Sequence, residues 1–170
     1  MAAQDFDALY NFEDQIETAI AAVLVAALAA GPTPIACQVL TSRDFATKQT
    51  PRLEVEFATG KAMNQRTTAG QANPRQVPSA FEGTLTVSVV TDRQTEQSVA
   101  VHGILRGRAR FNLSAAAQPF TSINIPNLQI LDMLPANTVP GMQTDKEEDI
   151  TAMSYSVMFG IQNNAWPSYP

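Results

Sequence analysis

The chain offers one histidine and one cysteine as candidates for chemistry, and neither has a catalytic setting in the sequence. His102 lies within a predicted helix, without the nucleophile and orienting acid that a catalytic triad requires, so a structural or surface role is favoured. Cys37 lies in the strand-like segment 35–39, which favours a buried thiol that packs as a small apolar side chain. A single cysteine forms no intrachain disulfide, and no second cysteine or nearby histidine completes a zinc site. We therefore expect no enzyme activity, no metal and no cofactor.

Two charged clusters are candidates for contacts with other chains. Residues 145–149 form a run of five charged side chains. The run lacks the alternating oxygen ligands and the turn glycine of a calcium loop, so a solvated turn is the favoured interpretation. Arg106 and Arg110 share one face of a predicted helix, where solvated surface is again the favoured interpretation. The alternative pairs these arginines with Glu147 or Glu148 of a neighbouring chain.

A long first helix is predicted over residues 5–30, because apolar residues recur at helical spacing until Gly31 and Pro32 end it. Its second half is apolar on every side. A helix of this kind is normally buried on every side. We therefore expect one face to pack on a sheet and the other to meet a second helix or another subunit.

A second helix is predicted over residues 93–113. Thr91 and Gln94 have capping-box spacing, which places the start of the helix at this boundary. Gly103 and Gly107 lie one turn apart, and each glycine costs a helix about 1 kcal/mol relative to alanine. A close helix–helix contact with the alanine-rich first helix is the expected compensation.

Strands are predicted where apolar and polar residues alternate or where short apolar runs occur. They cover residues 35–40, 52–58, 81–91, 127–133 and 151–161. The resulting order, α-β-β-β-α-β-β, predicts one α+β domain over residues 1–170. In it, a small antiparallel or mixed sheet of about four to five strands carries both helices on one face. We expect a long loop or extended hairpin tip at 60–79, an exposed connection at 134–149 and a tail at 162–170.

The composition argues against several classes of protein. Charged residues make up 16% of the chain, compared with roughly 25% in an average soluble domain. The net charge of −5 argues against broad nucleic-acid binding, which needs a basic surface. The apolar run at 19–30 is shorter than the about 20 residues of a membrane span, and the acidic residues before it are atypical of a signal peptide. We expect neither segment.

The layout resembles that of tail terminator proteins of long-tailed bacteriophages, and of related neck and tail-completion proteins. The long first helix and the strand sequences PRLEVEF, GTLTVSVV and YSVMFGI carry the resemblance, which covers nearly the whole chain and includes no diagnostic motif. The resemblance implies a six-membered ring that caps the tail tube and offers a surface to the head connector. DNA is then expected to pass through the lumen without being read.

The resemblance also implies the partners and the location. The partners are further copies of the chain in a hexameric ring, the tail tube protein and the head connector or stopper protein, with no membrane. The protein is then made in the host bacterial cytoplasm and located in the virion tail or neck. A head-to-tail ring needs two different contact faces on each subunit. The candidate residues for these faces are Val25, Ala29, Arg66, Arg75, Arg106, Arg110, Glu147, Glu148, Trp166 and Tyr169.

Two alternatives remain open at this point. In the first alternative, the chain is another neck or head-completion protein or a tail tube subunit, although tube proteins are usually more purely β. The remoter alternative is a small cellular adaptor or ligand-binding domain, with the polar loop and the aromatic tail lining a site.

Overall fold

A computed structural model describes residues 12–30, 33–63, 80–93, 95–114, 123, 125, 128–143 and 147–161. In chain order, the elements are α1 (Phe12–Ala30), β1 (Gln38–Thr41), β2 (Arg52–Met63), β3 (Ala80–Asp92), α2 (Glu96–Asn112), β4 (Leu128–Gln143) and β5 (Glu148–Ile161). The strands form one sheet in the order β1-β2-β3-β5-β4. Strands β1 and β2 are parallel and the other neighbours are antiparallel, so the sheet is mixed. The predicted α+β class and element order are confirmed.

The hydrophobic core lies between the two helices and one face of the sheet. The alternation predicted for β2 is confirmed, because Leu53, Val55 and Phe57 are all buried against the helices. The corresponding residues of α1 recur at helical spacing: Phe12, Ile16, Ile20, Leu24 and Leu28. Full burial of an apolar side chain of this size contributes about 1.5–3 kcal/mol, so this stripe holds α1 on the sheet.

Helix α2 begins later than predicted. Its N-cap is Thr95, whose extended backbone (φ −140°, ψ 150°) lets the side-chain oxygen accept the Ser98 N–H at 3.0 Å. The predicted capping box of Thr91 and Gln94 is therefore wrong. Thr91 belongs to β3, because this strand continues its pairing with β5 as far as Asp92.

Strand β4 is longer than predicted. It runs on to Gln143, through most of the segment 134–149 that Pro135 and Pro140 predict to be a connection. An edge strand tolerates proline, because its outer side has no ladder hydrogen bond to lose. The predicted exposure of this segment is nevertheless observed at residues 134–137 and 139.

Candidate assembly surfaces

His102 lies between two threonines of the sheet. Its Nδ1 is 2.8 Å from Thr91 Oγ1, and its Nε2 is 2.8 Å from Thr151 Oγ1. Burial lowers the pKa of His102, the positive charge of Arg106 lowers it further, and Asp149 opposes both. The neutral ring therefore connects α2 to β3 and β5, in agreement with the structural role favoured by the sequence.

Cys37 precedes β1 and is half-buried, with its Sγ 3.5 Å from the Gln38 carbonyl oxygen. Burial raises the pKa of Cys37 to about 11. Because the thiolate is the reactive form, Cys37 is a poor nucleophile near neutral pH. It therefore packs as a small apolar side chain. In the described ranges, no three His, Cys, Asp or Glu side chains form a group that could hold a metal ion. No described helix has both the length and the hydropathy needed to cross a membrane.

Glu148 has an ion pair within its own chain. The Arg52 guanidinium donates to both Glu148 carboxylate oxygens, at 2.9 and 3.2 Å, and to Glu54 at 2.7 Å. Lys48 also lies 3.0 Å from Glu54. Arg52 is buried by these contacts although its position in β2 faces away from the core. A contact between Glu148 and a neighbouring subunit must compete with this pair. Pairing with the exposed Glu147 stays a prediction.

The arginines of α2 differ in their surroundings. Arg108 donates to the Thr33 carbonyl oxygen at 2.7 Å, and so places positive charge beside the end of α1, which has no basic residue in its last turn. Arg110 is exposed and donates to the Thr138 hydroxyl at 3.0 Å. Arg106 is half-buried. Arg110 is therefore the most accessible of the three to another chain.

The outer face of α1 is exposed in the single chain, so contacts within the chain do not complete its predicted burial, and its contact with another subunit stays a prediction. Val25 is 54% exposed, and Ala29 is also exposed. The cause is that α1 packs on β1, β2 and α2, and these contacts reach only part of its circumference. Residues 18–30 include no charged side chain, so the exposed face is neutral and consists mainly of small residues.

Gly103 and Gly107 lie on an exposed face of α2. A Cβ atom added at either glycine would meet no atom within 4 Å. The predicted close contact with α1 is therefore wrong, because α2 turns Leu105 and Ala109, rather than the glycines, toward the core. The large apolar side chains exposed on the same helix are Val99, Ile104 and Phe111.

Two further sets of exposed apolar side chains were not found by sequence reasoning. Phe45 is 99% exposed in the segment that joins β1 to β2. Leu131, Leu134 and Val139 are exposed along β4. An isolated phenylalanine in the polar stretch TSRDFATKQT was the available signal for the first set. The second set was hidden by the prediction of a connection at 134–149.

Four predicted interface residues lie outside the described part of the chain: Arg66, Arg75, Trp166 and Tyr169. The same is true of most of the predicted loop at 60–79 and of the tail at 162–170. Strands β2 and β3 are paired as far as Met63 and Ala80, so the predicted loop includes strand residues at its start. The roles of these four residues stay predictions.

The sheet face opposite the helices has no element packed on it in the described structure. Register places Glu56, Thr86 and Ser154 in one row across β2, β3 and β5. Ala58, Thr84 and Ser156 form the next row. Two basic residues near this face, Lys48 and Arg52, are paired with carboxylates. We call this surface the open face; across β2, β3 and β5 it presents mainly hydroxyl groups, small side chains and carboxylates, and toward β4 it also presents the exposed Leu134 and Val139.

A cleft of about 220 Å³ lies between the end of α2 and strands β4 and β5. Its buried lining consists of Leu113, Met153 and Tyr155. Its accessible lining consists of Arg110, Ser114, Pro135, Asn137, Thr138 and Ser154. Burial raises the pKa of Tyr155, and the positive charge of Arg110 opposes that rise. The cleft is thus an apolar recess with a cation beside it.

Comparisons with known proteins find structural similarity alone. No protein-family model matches the chain, and no curated protein matches it. Among solved structures, the fold is similar to that of a chain in the virion of a native gene transfer agent particle. The TM-score is 0.51 at 10% identity, and the match covers 83% of this chain and 92% of that chain. A second structure covers 91% of this chain and 97% of its own at 16% identity, but its TM-score of 0.45 supports no argument.

Proposed function

We propose that the chain is a structural virion protein, a tail terminator whose ring caps the tail tube and joins it to the head connector. The observation that carries this proposal is the fold shared with a virion chain over 83% of this protein and 92% of that one. Coverage of this extent on both sides means that whole chains, rather than fragments, are alike. The resemblance of the element order to tail terminators supports the more specific position in the virion.

The distribution of exposed apolar side chains supports assembly with other chains. They occur on the β1–β2 loop, on both helices and on β4, at Phe45, Val25, Phe111 and Leu134 among others. Single exposed apolar residues are common on proteins, whereas a group of them commonly marks an interaction site; here Leu131, Leu134 and Val139 are grouped along one strand. A head-to-tail ring requires two different contact faces on each subunit, and exposed apolar groups near both edge strands meet this requirement.

The open face supports a lumen through which DNA passes without being read. Tight binding of DNA requires cations that neutralise phosphates and release counterions. Arg52 and Lys48 already pair with carboxylates, while Glu56 and the hydroxyls of Thr84 and Thr86 face outward. A face of this composition attracts phosphate weakly, which suits a channel for DNA.

The proposed partners are further copies of the chain, the tail tube protein and the head connector or stopper protein. The proposed location is the virion tail or neck, after synthesis in the host bacterial cytoplasm. We propose no enzyme activity, because His102 bridges two buried threonines and Cys37 has a pKa of about 11. Both side chains therefore have structural roles.

Electron microscopy of the purified chain, alone and mixed with purified tail tubes, tests the proposal. We expect closed rings and density at one end of each tube, and class averages give the copy number directly. Open tubes formed by the chain alone would favour the tail tube subunit instead. Monomers that neither close into rings nor bind tube ends, even at the highest soluble concentration of the chain, would refute virion assembly by this chain.

A further inference from the structure

Phe45 is a fully exposed aromatic side chain on a braced loop. The Asp44 carboxylate accepts the Thr41 N–H at 2.6 Å and the Thr41 hydroxyl at 3.1 Å, which fixes the turn just before Phe45. Farther along, Gln38 Oε1 accepts the Gln49 N–H at 3.0 Å, which holds the loop beside β1. A loop that is ordered before binding loses little entropy on binding. Aromatic side chains of this kind are frequent interface anchors.

The cleft between the end of α2 and strands β4 and β5 lies near the opposite edge of the sheet. Strand β1 is one edge of the five-stranded sheet and β4 is the opposite edge. The loop of Phe45 runs beside β1, whereas Pro135, Asn137 and Thr138 of β4 line the cleft. An apolar cavity of about 150 Å³ can accommodate benzene, so a cleft of about 220 Å³ admits a phenyl ring. One chain therefore has an anchor at one edge and a matching recess near the other.

Charge complementarity selects the occupant of the cleft. Among the described residues, Asp44 accepts hydrogen bonds only from Thr41 and pairs with no cation. Arg110, at the cleft, donates to the Thr138 hydroxyl and pairs with no carboxylate in that part of the chain. Asp44 beside the anchor is thus negative, and Arg110 beside the cleft is positive. A second copy of this chain can therefore pair its Asp44 with the Arg110 of the first.

We propose that Phe45 of one copy inserts into the cleft of the next copy, with Asp44 beside Arg110. The inference rests on the proposed function, because it specifies the contact between neighbouring subunits of the ring. Anchor and recess are different surfaces, so the contact is head-to-tail and can repeat until a ring closes. It assigns Arg110 to Asp44 and leaves Arg106 for the alternative pairing with Glu147.

Cysteine cross-linking tests the contact and its direction. The double variant Ala46→Cys/Pro135→Cys keeps the Phe45 anchor, with one cysteine beside it and the other in the cleft lining, and is expected to form, under mild oxidation, a ladder of covalent oligomers that ends at the size of the ring. In a mixture of the two single variants each chain carries only one of the two cysteines, so covalent linkage is expected to stop at dimers. A matched control, Ala46→Cys/Val25→Cys, also keeps Phe45 but carries its second exposed cysteine away from the cleft, and is expected to give no ladder. A ladder from the control equal to that of the test pair would overturn the assignment.

Assembly measurements on substituted chains provide the second arm. Truncation of a dominant interface anchor costs enough that Phe45→Ala is expected to raise the concentration for half-assembly at least about tenfold. Val99→Ala removes another exposed apolar side chain and is expected to change that concentration less than about threefold. Asp44→Lys and Arg110→Glu should each weaken assembly, and their combination should partly restore it.

The outcomes separate this contact from the function on which it rests. The contact would be overturned if Phe45→Ala formed rings as well as the wild type and the cysteine double variant gave no ladder. The proposed function as a tail terminator would then still stand. Rings that form normally with Phe45→Ala but no longer bind tail tubes would assign Phe45 to the tube protein, which also overturns the contact. Monomers under all conditions, without binding to tube ends, would overturn both.

Discussion

Glu17 is a buried carboxylate whose replacement should destabilise the fold strongly, because strand β2 and the turn that follows β1 both donate hydrogen bonds to it. Its Oε1 accepts the Phe57 N–H at 2.8 Å, and its Oε2 accepts the Ser42 N–H at 3.0 Å and the Ser42 hydroxyl at 2.7 Å. The pairing of β1 with β2 ends at Thr41 and Val55, so the outer edge of β2 loses its strand partner just before Phe57. Glu17 supplies the missing acceptor from α1.

The expected magnitude follows from these contacts. In Glu17→Gln, the single amide oxygen can accept from either Ser42 or Phe57. The NH₂ group then faces the backbone N–H of the other residue, which loses its acceptor. A buried donor left unsatisfied costs about 1–3 kcal/mol, and the retained hydrogen bond loses its charge assistance. We therefore expect Glu17→Gln to lower the free energy of unfolding by about 2–4 kcal/mol, a large part of the about 5–15 kcal/mol of a typical domain.

Chemical denaturation followed by circular dichroism provides the measurement. Glu56→Gln is the matched control, because Glu56 is exposed on β2 and its change should stay within about 0.5 kcal/mol. Ser42→Ala removes one donor to the same carboxylate. Its effect should be smaller when Glu17 is already replaced, since the two residues interact. Equal stability of the Glu17 and Glu56 variants would refute the account of Glu17 as the acceptor at the edge of β2.

Three further predictions concern single residues. Cys37 should react with a thiol reagent at pH 8 far more slowly in the folded chain than in denaturant, because burial raises its pKa to about 11. His102→Gln should flatten the pH dependence of stability. Since the folded-state pKa of His102 lies below its ordinary value of 6.5, the wild type loses stability relative to the variant as pH falls from 6.5 through that pKa. Gly83→Ala should cost about 1–3 kcal/mol, because its Cβ would lie 2.7 Å from the Ala58 carbonyl oxygen and closer still to the Phe57 ring.

Each of these predictions has a result that contradicts it. Equal thiol reactivity in folded and denatured chains would mean that Cys37 is not shielded. Identical slopes for the wild type and His102→Gln between pH 7 and 5 would remove the proposed effect of burial. For Gly83, Gly103→Ala is the control and should stabilise by about 0.5–1 kcal/mol, because a Cβ there meets no atom within 4 Å. Two variants of equal stability would contradict the close approach at Gly83.

The local pattern of apolar and polar residues predicted the helices and strands. It could not predict contacts between side chains that lie far apart in the sequence. The faces of Leu53, Val55 and Phe57 follow from alternation alone. The burial of Arg52 does not, because it depends on Glu148, which lies 96 positions later. Likewise Glu17 reads as a helix residue favourable to the dipole, yet its hydrogen bonds reach 25 and 40 positions away. Contacts of this range are set by the sheet order, which no local signal specifies.

The surfaces where prediction and structure disagree are informative about assembly. The apolar periphery of α1 predicts burial, and yet Val25 is 54% exposed in the single chain. In the proposed ring, the two sheet edges make the lateral contacts, so the open face and the helix layer must face opposite ways across the wall of the ring. The open face presents mainly hydroxyls and carboxylates and suits passing DNA, whereas the uncharged exposed side of α1 suits a protein partner. The open face is therefore expected to line the lumen, and the exposed side of α1 to meet another protein outside it.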